Sequence, residues 1–184
     1  SEPVDKSLDG ARGFEARAAY DAANLYVRFD VTAPNELVNA ESEPKLLFKG
    51  GNCLDIQLAT DPQADAKRKT PAPGDVRVLV TRQAGKPYAV IYRPQVAGFA
   101  GERIVLKSPT GQEPFDAIEV LDTVVLDYAK TADGFRATAT IPLAVLGWKP
   151  QPGETVKMDV GYLFGNAPGT QSAARAYWMN NGFS

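Results

Sequence analysis

Residues 20–31 read YDAANLYVRFDV, and their pattern decides the fold. Asp21-Ala22-Ala23-Asn24 has the composition of a turn. After it, Leu25, Val27, Phe29 and Val31 alternate with Tyr26, Arg28 and Asp30. A period of two lets a strand bury one face and wet the other. Ahead of the turn, Phe14, Ala16, Ala18 and Tyr20 alternate with Glu15, Arg17 and Ala19. The two runs predict a hairpin, the first strand pair of an all-β domain.

The same period recurs along the chain. In 52–60, Leu54, Ile56 and Leu58 face inward while Asp55 and Gln57 face outward. Val76, Val78 and Val80 alternate with Arg77, Leu79 and Thr81. A turn over Gln83–Pro87 then leads into a returning strand through Tyr88, Val90 and Tyr92, which Pro94 ends. Shorter strand patterns cover 103–107 and 118–121. Ala132-Asp133-Gly134 joins strands over 123–130 and 134–141. Pro142 to Gly147 reads as a single helical turn, with Pro at its start and Gly at its stop. Strands over 155–164 and 173–179 complete the set. About ten strands with turns between them predict an antiparallel β-sandwich, jelly-roll-like, with one short helical turn.

Two connections are long. Thr32–Gly51 is expected to be functional or irregularly structured, and the Pro-rich Asp61–Gly74 has no periodicity. Residues 1–13 read as a polar N-terminal arm and 14–184 as one sandwich domain. The opening SEPVDKS suggests a processed chain or an excised segment. A sandwich normally closes on a paired strand, so the end at Asn181–Ser184 is expected to be a truncation.

Composition narrows the chemistry. No apolar run approaches the ~20 residues that span a bilayer. A net charge of -2 argues against a nucleic-acid partner, which needs a basic face. The chain has no histidine. That removes the usual general base, the commonest metal ligand and every Ser-His or Cys-His nucleophile pair. With one cysteine, Cys53, no intrachain disulfide can form. Cys53 reads as a small apolar packing residue.

Read together, YDAANLYVRFDV, GNCLDIQLATDP, GDVRVLV, GFRATATIPLAVLGW, PGETVKMDVGYLF and RAYW resemble the family 9 carbohydrate-binding modules and related DOMON-like sandwiches. The likeness covers 14–178, and its most specific parts are the two hairpins, which bear on fold more than on ligand. It implies a non-catalytic sandwich that binds a sugar, often a glycan terminus, in a secreted protein, extracellular or periplasmic, beside a neighbouring catalytic domain. On the matching strands it implies an acidic contact at Asp55, a basic one at Arg77 and a stacking aromatic at Trp178. A second aromatic precedes the acidic strand in the family; Phe48 holds that place here, where a tryptophan is usual.

The residues themselves support part of this. Aromatic rings cover the C–H face of a sugar, and charged groups take its hydroxyls. Asp55 and Arg77 share the outward side of their strands, either as ligand contacts or as a cross-strand ion pair. Arg175 shares a side with Tyr177, opposite Trp178. Trp178 is either a ligand platform or a packing residue, and Trp148 reads as a lid on the core. Tyr92 and Arg93, at a strand end, are rim candidates. No cofactor is expected, although a structural calcium in the Asp-rich loops stays open. Three other readings compete. One is a protein-interaction scaffold of a surface assembly. Another is a haem-binding electron-transfer domain ligated by Met158, Met179 or a lysine. The last is an enzyme using two of Asp55, Asp61, Asp116, Asp122, Asp127 and Asp159.

Overall fold

The structure is a computed structural model and describes residues 2–65, 67–108 and 111–179. Among the described residues thirteen strands are formed: β1 (Val4–Asp9), β2 (Arg12–Tyr20), β3 (Asn24–Thr32), β4 (Cys53–Ala59), β5 (Asp75–Gln83), β6 (Lys86–Arg93), β7 (Ile104–Ser108), β8 (Gly111–Phe115), β9 (Ala117–Val120), β10 (Val125–Lys130), β11 (Gly134–Pro142), β12 (Lys157–Gly165) and β13 (Ser172–Tyr177). They make a five-stranded sheet in the order β1-β2-β3-β11-β10, a six-stranded sheet in the order β13-β12-β4-β5-β6-β9, and a separate β7–β8 hairpin. Every pairing is antiparallel.

The expected β-sandwich is therefore the fold, and the period-two runs fill its interior. Leu25, Val27, Phe29 and Val31 from β3 meet Leu54, Ile56 and Leu58 from β4 and Val76, Val78 and Val80 from β5 in one core. Phe135, Ala137, Ala139 and Ile141 of β11 complete the five-stranded side. The polar alternates of that sheet stay outside, where Asp30 pairs with both Arg28 and Arg136.

The strand count exceeds the expected ten for identifiable reasons. Residues 4–9, expected as part of an arm, form β1 against β2. Only Val4 and Lys6 are partly buried in it and Leu8 is exposed, a mixture that hides the alternation. Strand β8 reads GQEPF and has no apolar period, so only its pairing with β7 defines it. The end at Asn180–Ser184, with its expected truncation, lies outside the described residues.

Two turns have a local cause. Ala84 (φ 47°) and Gly85 (φ 80°) both adopt the left-handed region between β5 and β6, as a two-residue hairpin turn requires. The helical turn α1 (Leu143–Leu146) ends at Gly147 with φ 66°, where the Gly147 and Trp148 N–H groups return to carbonyls of Ala144 and Leu143. Trp148 is buried against Tyr20 at the end of the sandwich, as a lid on the core would be.

Phe29 is fully buried at the centre of the core. Replacing it by Ala should destabilise the protein by about 3–5 kcal/mol, measured by urea denaturation.

Candidate functional site

The outward side of the six-stranded sheet is not a bare surface. The connection 33–52 folds back over it through a 3₁₀ turn (Pro44–Leu46) and a helical turn (Leu47–Gly50). The first sits against β6 and β9, the second against β13. Asn39 holds this cover down. It is buried, its Nδ2 donates to the Leu47 carbonyl at 2.8 Å, and its Oδ1 accepts the Glu41 N–H at 2.9 Å. Beneath lies a second core of Leu47, Cys53, Leu79, Val90, Tyr92, Phe115 and Leu163. Apolar residues on both faces of β5 and β6 explain why their sequence runs are more hydrophobic than a half-wet strand needs.

Asp55 and Arg77 meet inside this covered layer. Strands β4 and β5 are neighbours, with Gln57 opposite Arg77 and Asp55 opposite Leu79. The guanidinium reaches back along the strand to Asp55. Nε donates to Oδ1 at 3.0 Å and Nη2 to Oδ2 at 2.6 Å. Tyr177 Oη donates to Asp55 Oδ2 at 2.8 Å from the far side. Asp55 has no exposed surface, so it holds Arg77 and Tyr177 rather than a solvent-borne ligand. Its expected role as a direct ligand contact gives way to that of an internal anchor.

Tyr177 reaches Asp55 by lying across β12. Gly161 stands opposite Tyr177 on one side and opposite Asp55 on the other. A Cβ at 161 would meet Tyr177 Cδ1 at 2.3 Å and the Ala176 carbonyl at 2.8 Å. The missing side chain is thus the passage for the phenol.

Aromatic rings bracket the guanidinium. Arg77 Cζ lies 5.7 Å from the Phe48 ring centroid and 5.9 Å from that of Tyr92. Phe48 and Tyr92 meet edge to face at 6.4 Å. Tyr92 is fully buried and donates its hydroxyl to the Pro44 carbonyl at 2.6 Å, so it supports the site from within rather than forming a rim. Burial works against charge on Arg77, but attraction and hydrogen bonding from Asp55 outweigh it and raise its pKa. Burial, with Asp55 adding to it, raises the Tyr177 pKa, so the phenol keeps the proton it donates. Burial pushes the Cys53 thiol up to about 12.

About a fifth of the Arg77 side chain remains exposed. Nε and Nη2 both face Asp55. Here Arg77 lines a cleft of about 380 Å³ together with Gln57, Phe115, Asp159 and Met179. Residue types alone did not single out Gln57, Phe115 and Tyr177. Gln57 was legible as an outward neighbour of Asp55, and Tyr177 as sharing a side with Arg175. Phe115 had no such signal.

The other expected site residues divide between two places. Arg175 joins the cluster, with Cζ 5.7 Å from the Phe48 centroid. Trp178 does not. Its N–H continues the ladder to the Val160 carbonyl, and it lines a cleft on the opposite side of the sheet with Val4, Ala16, Met158 and Val160. Arg93 also lies apart, donating to the Val145 carbonyl and to Glu119. Of the haem candidates, Met158 packs on the main core and Met179 is exposed. Among the described residues no three His, Cys, Asp or Glu side chains converge as metal ligands would.

Against known proteins, the chain matches no family model and no curated sequence.

Two outcomes test this geometry. Asp55→Ala leaves Arg77 charged without its partner and should cost about 3–5 kcal/mol, whereas Asp55→Leu with Arg77→Met should recover most of it in equilibrium unfolding. Cys53 and Tyr177 have raised pKa values when folded, so their contribution is full below the unfolded values of ~9 and ~10. It is lost as pH rises further. Stability to urea should therefore fall from about pH 9 upward. Cys53→Ala should lessen that fall between pH 9 and 10.

Proposed function

We propose that this chain is a non-catalytic binding module that takes a saccharide in the cleft beside Arg77. The observation that carries this reading is the state of the Arg77 guanidinium. Its position is set by a buried carboxylate, a phenol and two aromatic rings, yet about a fifth of the side chain stays exposed and the residue lines the cleft. A donor fixed before binding loses little side-chain entropy when a hydroxyl arrives. An arginine serving only Asp55 would gain nothing from an exposed edge.

The remaining lining suits a sugar. Gln57 can donate to and accept from hydroxyls, and the Asp159 carboxylate can accept. Phe115 and Met179 supply apolar surface for a C–H face. The likeness in the sequence to family 9 modules points to the same ligand class, through Arg77 but not through Trp178. In this reading the protein performs no bond-breaking step. It holds a glycan, in a secreted setting, for a catalytic domain or a surface to which it is attached.

Isothermal titration against a panel of neutral and charged oligosaccharides tests the reading. Saturable binding without turnover is expected. Gln57→Ala should weaken it about fivefold to tenfold, the loss of one hydrogen bond, with an unchanged melting temperature. A folded protein that gives no heat with any saccharide would sink the proposal.

A further inference from the structure

Three cationic groups converge on one phenyl ring. Lys49 Nζ lies 5.6 Å from the Phe48 centroid, and Arg77 and Arg175 each place Cζ at 5.7 Å. No two of them can be further apart than twice that distance. Only Arg77 is compensated, by Asp55. Among the described residues neither Lys49 nor Arg175 has a carboxylate within ion-pair distance. In the cover, Glu41 accepts the Glu43 N–H and Glu43 pairs with Lys45. Two positive charges without an ion-pair partner thus flank one ring in a chain whose net charge is -2.

Ring quadrupoles stabilise such cations, but only weakly at exposed sites. Phe48 is half-buried and Lys49 exposed, so the cluster faces water. The cleft at the other end of the same face is balanced in charge: Asp75, Glu113 and Asp159 line it together with Arg68, Arg77 and Lys157. Asp75 is paired there with Arg68. Arg77 therefore stands between a cleft whose charges balance and an end that carries surplus cations.

We infer that the preferred ligand is an acidic saccharide, a sugar bearing a carboxylate or a sulfate, with its anionic group held by Lys49 and Arg175 and its neutral hydroxyls in the cleft. This rests on the saccharide reading above and adds the ligand's charge. The planar guanidinium of Arg175 matches either oxyanion with paired N–H donors, and Lys49 adds a mobile point charge.

Titration calorimetry with oligogalacturonate, a sulfated galacto-oligosaccharide and the neutral galacto-oligosaccharide of equal length tests this at 50 and 300 mM salt. The acidic ligands should bind about tenfold more tightly than the neutral one, and the higher salt should shrink that margin. The stronger of the two acidic ligands identifies the anionic group. Lys49→Gln combined with Arg175→Gln should abolish the margin, with an unaltered melting temperature. Equal affinity for neutral and acidic ligands, or a margin that survives the double substitution, overturns the inference and leaves the saccharide reading standing. Binding of inorganic polyphosphate without any saccharide overturns both.

Discussion

The buried charge of Asp55 is the constraint around which the outer half of this molecule is built. An ionised carboxylate in an apolar layer is costly unless it is paired and hydrogen-bonded. Arg77 supplies the pairing and Tyr177 the remaining donor, and each imposes demands of its own. Arg77 must be lined by rings, so the connection between β3 and β4 has to bring Phe48 across the sheet. Tyr177 must cross β12, so that strand has to carry a glycine. Charge neutralisation at one atom pair thus links four strands and the cover.

This arrangement separates support from contact. Asp55, Tyr177 and Tyr92 are sealed inside and fix a geometry. Arg77 is the member that passes from the sealed layer to the surface. Sites held this way are more exact than sites made from exposed side chains, because the supporting groups have no alternative conformations to sample. The cover, held by the Asn39 carboxamide, is what converts a sheet surface into such a layer.

Much of the sandwich was legible in the residues. The runs Leu25–Val31, Leu54–Leu58 and Phe135–Ile141 alternate cleanly because one of their faces meets the opposite sheet and the other does not. β1 and β8 were illegible because pairing, not burial, makes them strands. The site was legible in part. Alternation placed Asp55 and Arg77 on one side, and Arg175 with Tyr177 on one side of the last strand. It could not show that residues 33–52 would cover that side, since a cover is a long-range contact with no local period. The outward direction was right, but it led to a second interior rather than to water. Trp178 illustrates the remaining limit: one residue past the end of β13, alternation still ruled, and it turned the indole to the opposite side from Arg77.

Gly161 carries a consequence for the history of the sequence. Its backbone conformation is open to any residue, so nothing local demands glycine there. The demand comes from Tyr177, whose ring fills the space a side chain would take. Positions 161 and 177 therefore form one heritable unit. A lineage that acquires a side chain at 161 must give up the large ring at 177, and with it one of the donors that stabilises the carboxylate at 55. The three positions should change together or not at all.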